Sequence, residues 1–297
     1  MAVIDRLLSP ESSFQKRFFF LAKRFVAGET IEDALAAVKR LNDHGMSATL
    51  DFLGEDVLDR EAATHTRDQY VKMLDAIRAS NANTNVSVKL TAMGLLIDET
   101  FTVENLATIL ERAEQNADPF VRIDMEGSAV TQQTLDVFER LFATHKNVGP
   151  VLQSYLKRTE ADVDRAIEIG ARVRLCKGAY NEPPEIAYKE MSAIRTHYMN
   201  EAQRLLERGN YPGLATHDLQ LIEALKAFVK ANGIASDKFE FQMLYGCRPE
   251  VQRELVHEGY RVRIYVPFGT HWAGYFYRRI LERRENMWFA LSSMFAR

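Results

Sequence analysis

Apolar and polar residues alternate along this chain with two different periods. In "VRIDMEG", Val121, Ile123 and Met125 share one parity while Arg122, Asp124 and Glu126 share the other. A period of two sends these sets to opposite faces of a strand. Eight stretches have a strand-like character: "SATLDFLG" (47–54), "VSVKLTAMG" (86–94), "VRIDMEGS" (121–128), "VGPVLQSYL" (148–156), "RVRLCKGAY" (172–180), "PGLATHD" (212–218), "KFEFQMLYG" (238–246) and "RVRIYVPFG" (261–269). Helical pattern follows them, with apolar positions three and four apart in stretches such as "QYVKMLDAIRAS", "ENLATILERAEQ" and "LIEALKAFVKANG". Eight strand–helix units in one chain predict an α/β fold, a (β/α)8 TIM-type barrel with right-handed crossovers. Residues 1–45 are helical in pattern, like "DALAAVKRL", and are expected to pack as an N-terminal segment on a barrel spanning 46–297.

The polar parity of these strands carries a second message. If the apolar set faces the helix layer, the polar set points into the barrel. Barrel interiors are usually filled by branched apolar side chains. This one would hold Lys89, Asp124, Arg174, Glu240 and Arg263, charges of both signs. Buried charges are costly unless paired or used, so the interior reads as a site built partly from structural ion pairs.

Composition narrows the class. With 297 residues, 46 % of them hydrophobic, the chain can bury one large core. A net charge of -3 argues against nucleic acid as a partner. Two cysteines, Cys176 and Cys247, imply no disulfide framework and fit a reducing compartment. The opening "MAVIDRLLSP" has no apolar core of a signal peptide, and no apolar run approaches a membrane span. The basic, aromatic segment "FQKRFFFLAKRF" reads as a helix packing its phenylalanines on the core, with contact to a membrane surface as the competing reading.

Several chemistries can be weighed. The seven histidines form no HExxH and no HxH after the first strand, which disfavours a catalytic metal. Lys89 and Lys177 lie on strands, where a barrel aldolase would place a Schiff-base lysine, but Lys89 faces polar neighbours and an expected carboxylate that keep it protonated. No GxGxxG follows a strand. "LCKGAY" closes the fifth strand with a glycine that lets backbone approach a flat ring or a phosphate, and "ATHD" closes the sixth just before a helix. Near the C-terminus, Tyr275, Arg278, Arg279 and Glu282 share one helical face. A lone arginine pair is usually a solvated face; paired guanidinium forks also match the two oxygens of a carboxylate.

The set "TLDFLGE", "SVKLTAMG", "RIDMEGS", "LQSYL", "RLCKGAY", "ATHD", "FQMLYG" and "RIYVPFGTHW…YFYRRILE" closely resembles the proline dehydrogenases, flavin-dependent barrel enzymes of proline catabolism. The size resembles their short, single-function bacterial form. The resemblance implies FAD as cofactor, L-proline as substrate, 1-pyrroline-5-carboxylate as product and a quinone as electron acceptor. It implies a cytoplasmic enzyme that can touch the inner face of the membrane and, transiently, pyrroline-5-carboxylate dehydrogenase. Position by position, Arg278 and Arg279 resemble the arginine pair that clamps the proline carboxylate, with Lys89 as third cation and Glu282 as orienting partner. Tyr265 and Tyr275 resemble the aromatics that wall the substrate ring, and family members that use hydroxyproline carry a smaller residue in place of Tyr265. Arg174 resembles the arginine near flavin N5, and Asp124 the carboxylate of the same network. Met125, Gln153, Lys177, Gly178, Ala179, Thr216 and His217 match positions that hold FAD. Asn181 stands where some relatives carry a tryptophan near the cofactor, which leaves that part of the contact set open. A lysine-dependent barrel aldolase and a non-catalytic amino-acid-binding barrel are the competing readings.

Overall fold

In a computed structural model that describes residues 22–276, eight parallel strands close into a barrel in sequence order. They are β1 (Ser47–Phe52), β2 (Thr84–Val88), β3 (Val121–Ile123), β4 (Val148–Gln153), β5 (Arg174–Cys176), β6 (Gly213–Ala215), β7 (Glu240–Leu244) and β8 (Val262–Phe268). All but β2 lie within the stretches anticipated from the alternation, and β2 begins two residues earlier, at Thr84. Closure is made by β1 against β8, with Ser47 beside Arg263 and Phe52 beside Phe268.

The helices are α1 (Ile31–Asn42), α2 (Arg60–Ser80), α3 (Glu99–Ala113), α4 (Ser128–Phe142), α5 (Thr159–Glu168), α6 (Met191–Arg208), α7 (Leu219–Ala231) and α8 (Pro249–His257). Their starts are written in the sequence. Thr30 and Asp33 form a reciprocal capping box at α1, while Asp59, Asp98 and Asp218 accept backbone N–H bonds at α2, α3 and α7. The main core lies between barrel and helices, where Leu50, Val86, Val88, Ile123, Leu175, Leu214 and Ile264 are fully buried.

The second strand is shorter than its alternation suggests. After Val88 the chain turns through a 3-10 segment, Leu90–Met93, that ends at Gly94 in the left-handed region (φ 102°). The physical reason is a competing acceptor. The Thr91 N–H donates to Glu126 Oε1 at 3.1 Å and its hydroxyl to Oε2 at 2.6 Å, so this backbone leaves the ladder for a carboxylate. The ends of the described chain meet at one mouth of the barrel. Ala22, Phe25 and Val26 pack with Leu53, Trp272 and Tyr275 there, and the Ala27 N–H donates to the Pro267 carbonyl at 2.9 Å.

Helix α6 is fastened to the barrel by the Tyr198 hydroxyl, which donates to the Leu175 carbonyl at 3.3 Å. One turn further on, Glu201 is 2 % exposed and its Oε2 has no hydrogen-bond partner. Burial, reinforced by Glu160 and Asp162 and opposed by Arg204, pushes this carboxyl up to about 8. A raised carboxyl binds its proton more tightly folded than unfolded. Its contribution to stability is therefore full below the ordinary value of 4.5 and declines as pH rises towards about 8. The decline approaches about 1.4 kcal/mol per pH unit. Glu201→Gln, a neutral isostere, should raise the urea midpoint at pH 8 and leave it nearly unchanged at pH 4.5. An equal gain at both pH values would show that this carboxyl does not titrate in that window.

Candidate active site

The inward parity brings polar residues from six strands and their ends to one layer near the C-terminal mouth. Asp51 of β1 lies in register with Ser87 of β2, Thr49 of β1 with Tyr265 of β8, and Gly213 of β6 with both Arg174 and Glu240. Lys89 and Asp124 follow directly on β2 and β3. Lys89, Asp124 and Arg174 are all under 10 % exposed.

Two linked ion pairs organise this layer. Lys89 Nζ donates to Asp51 Oδ1 at 3.0 Å and Oδ2 at 2.9 Å, and the Tyr265 hydroxyl stands 3.5 Å away. Burial works against the ammonium, but the carboxylates of Asp51 and Asp124 outweigh it and hold Lys89 above the ordinary lysine value. Lys89 is thus a fixed cation. The second pair joins Arg174 Nη1 to Asp124 Oδ1 at 2.7 Å, with the Ser87 hydroxyl donating to the same oxygen at 2.7 Å. The Tyr265 hydroxyl donates to Asp124 Oδ2 at 2.8 Å, and the Arg174 guanidinium lies 5.3 Å from the centre of the Tyr265 ring. Burial, then Asp124 and Asp51, lift the Tyr265 hydroxyl well above its ordinary value, so it stays a neutral donor.

A second group rims the mouth at the ends of β4, β5 and β6. Gln153 is buried and its amide donates to the Glu126 carbonyl at 3.0 Å. Lys177 pairs with Asp218 at 3.2 Å, and Arg195 donates to the same carboxylate at 2.7 Å. Burial pulls Asp218 upward, but Arg195 and Lys177 outweigh it and hold the group below its ordinary range. Thr216 accepts from the Asp218 N–H, and His217 Nε2 accepts from the Leu244 N–H at 2.8 Å, which puts the proton of a neutral ring on Nδ1. Met125 is buried and Ala179 exposed. Gly178 has φ 111°, and a Cβ built there would lie 2.2 Å from the Tyr155 ring. Only glycine keeps this backbone bare. A flat, polar cofactor suits these features: bare backbone, amide and cationic donors, and a helix N-terminus beside them.

Tyr275 is 6 % exposed and belongs to the cluster on which Tyr265 packs, so both expected aromatics stand on one side of the layer. Arg278, Arg279 and Glu282 lie outside the described residues. Several contributors escaped the sequence reading. Asp51 and Gln242 sit on the inward parity of β1 and β7, and that alternation was the signal that could have found them. Tyr70, whose hydroxyl donates to the Ser87 carbonyl at 2.6 Å, comes from a helix and had no such signal.

A closed parallel barrel whose C-terminal mouth gathers fixed cations beside a bare-backbone rim defines a cofactor-dependent barrel enzyme for a small charged substrate. Residues 34–290 match the proline dehydrogenase family. Proline dehydrogenase 2 of Bacillus subtilis is 40 % identical over 273 residues, 92 % of this chain and 90 % of that protein. The proline dehydrogenase of Deinococcus radiodurans is 38 % identical over 289 residues, 96 % of this chain and 93 % of that one. Among solved structures, proline utilization A from Bdellovibrio bacteriovorus inactivated by N-propargylglycine superposes with a TM-score of 0.85 at 28 % identity. It matches 92 % of this chain, which spans 34 % of that longer chain. The chain belongs to the proline dehydrogenase family. It is an FAD-dependent oxidoreductase that oxidises proline, the first step of proline catabolism.

The Asp51–Lys89 pair makes a stability test. Both side chains are at most 10 % exposed, and removing one partner of a buried pair strands the other charge at a cost of about 3–5 kcal/mol. Asp51→Asn and Lys89→Met should each lower unfolding free energy by about that much. The double variant should lose far less than the sum. Additive losses in urea unfolding would mean the two groups are not coupled.

Proposed function

We propose that L-proline binds over the polar layer with its carboxylate clamped by Arg278 and Arg279, assisted by Lys89, and that Glu282 orients the arginine pair. The observation that carries this reading is the pinned ammonium of Lys89. Asp51 occupies two of its three donors, so the charge is desolvated and aimed before substrate arrives. A preset cation of this kind favours binding and orientation together. Tyr265 and Tyr275 would wall the pyrrolidine ring. Arg174 and Asp124 are the catalytic pair in this reading, Asp124 fixing the guanidinium and Arg174 presenting donors to the cofactor edge.

The residues suited to hold FAD are Met125, Gln153, Arg174, Lys177, Gly178, Ala179, Thr216 and His217. Bound there, the flavin supplies the acceptor for the hydride that leaves proline C5, giving 1-pyrroline-5-carboxylate. The protein's part is to hold that carbon in place and to keep the substrate nitrogen free to lose its proton. Lys89 and Lys177 are each tied to a carboxylate, which does not favour the Schiff-base aldolase reading. Residues 1–45 would serve as a helical segment on a catalytic barrel of 46–297. A quinone would take the electrons onward, with transient contact to pyrroline-5-carboxylate dehydrogenase. No helix among the described residues is long and apolar enough to cross a membrane. In this reading the enzyme is cytoplasmic and its contact with the inner face peripheral.

The direct test is the visible spectrum. The purified protein should be yellow, and anaerobic proline should bleach the flavin band. A colourless protein that takes up no FAD on reconstitution refutes the reading.

Tyr265 tests ring recognition apart from charge. Its hydroxyl is tied to Asp124 and its ring lies against Arg174, so it has little room to yield to a larger substrate. The enzyme should strongly prefer proline to trans-4-hydroxyproline. Tyr265→Ser should lower kcat/KM for proline about tenfold or more, in line with one charge-assisted hydrogen bond. The same change should shift the ratio of the two efficiencies towards hydroxyproline. A ratio that does not move removes Tyr265 from the wall of the site.

A further inference from the structure

The opposite mouth of the barrel holds a cup that the oxidation of proline does not use. A cavity of about 540 Å³ opens there among the loops that lead into the strands, lined by Asn83, Asp118, Arg172, Tyr211, Arg261 and Arg263. That volume lies within the range of small-molecule sites. Both ends of the described chain pack at the other mouth, beside Leu53 and Trp272, which leaves this one unshared by them.

The cup is over-supplied with positive charge. Arg263 is satisfied twice, by Glu240 at 2.7 Å and Asp118 at 3.0 Å. Arg172, Arg261 and, behind them, Arg122 have no carboxylate within 4 Å among the described residues. Arg122 spends its donors on the carbonyls of Pro150 and Arg172. Arg172 is half-buried and Arg261 exposed, so their guanidinium groups can be reached from the cup.

The two outer guanidinium groups are also held in place. Arg172 is packed against two rings, 4.2 Å from the centre of Phe120 and 4.7 Å from that of Tyr211, and its buried Nε has no hydrogen-bond partner. Arg261 lies 5.6 Å from the same Tyr211 ring and donates to its hydroxyl at 3.3 Å. That hydroxyl donates to Glu240 Oε2 at 3.2 Å. Tyr211 stands in the left-handed region (φ 47°), which a bulky residue adopts only where its surroundings hold it.

We propose that this cup is a second ligand site, which takes a compact dianion, a phosphate group or a short dicarboxylate, between the guanidinium groups of Arg172 and Arg261. Both ligand types offer the paired oxygens that arginine forks match. Both guanidinium groups line the same cup and lie against the same Tyr211 ring.

The test is calorimetric titration of the FAD-loaded full chain with inorganic phosphate and, separately, succinate, at constant ionic strength. One of the two should bind with a dissociation constant of about 1 mM or tighter, and the stronger arm identifies the ligand type. Arg261→Gln and Arg172→Gln should each weaken it about tenfold or more. Arg261 is exposed, so its variant keeps the test sound if loss of the packed Arg172 side chain prevents folding. Excess proline should not displace the ligand, and Arg261→Gln should turn over proline at the wild-type rate. Failure of both anions to bind at about 20 mM, far above that constant, overturns the proposal. So does binding that survives the exposed variant, or binding that proline displaces, which would place the anion in the catalytic mouth.

Discussion

A run of opposite charges along the barrel axis is the constraint on which the rest of this structure depends. Lys89 meets Asp51, Tyr265 links that pair to Asp124, and Asp124 holds Arg174. Arg174 then donates to Gln242, whose amide donates to Glu240, and Glu240 pairs with Arg263, which reaches Asp118 at the far mouth. All of these charges but Asp118 are buried, so each must be answered by a neighbour at hydrogen-bond distance. The barrel's register supplies those neighbours. Parallel pairing puts Gly213 between Arg174 and Glu240, and a Cβ built on Gly213 would lie 2.4 Å from the Gln242 amide that joins them.

This arrangement explains how the catalytic mouth can be rigid without being apolar. Fully answered polar networks fix side-chain positions as firmly as packed hydrocarbon does, whereas half-answered ones are unstable. Asp124 accepts from Arg174, Ser87 and Tyr265, which leaves its carboxylate little freedom to turn. Arg174 is braced on one side by Asp124 and on the other by Gln242. Side chains braced in this way are placed before any ligand binds, and their reorganisation does not add to a later chemical step.

The barrel was legible in the sequence because strand and helix periods differ so sharply. "VRIDMEG" and "RVRIY" announced which residues face inward, and Arg174, Glu240, Arg263, Lys89 and Asp124 all proved buried in the interior. Strand ends were less legible, because tertiary acceptors decide them. Thr91 leaves the ladder for Glu126, a residue 35 positions away that no local pattern pairs with it. Pairings across the barrel were hidden for the same reason. Lys89 and Asp51 are 38 residues apart, and only the parallel pairing of β1 with β2 brings them together. Tyr70 was invisible for a different reason: on α2 it reads as one more apolar position, yet its hydroxyl crosses the helix–barrel interface to the Ser87 carbonyl.

The two mouths of the barrel differ in how far their charges are answered. At the catalytic end, the side chains of Lys89, Asp124, Arg174 and Lys177 each have an opposite partner within 3.2 Å. A ligand there meets an oriented layer in which each of these charges already has its answer. At the opposite end, Arg172 and Arg261 are fixed by aromatic rings instead of carboxylates. A ring positions a guanidinium without cancelling its charge, since the attraction is to the face of a quadrupole. Positioning and neutralisation are thus separate tasks in this barrel, and where only the first is done by the protein, the second is open to a ligand.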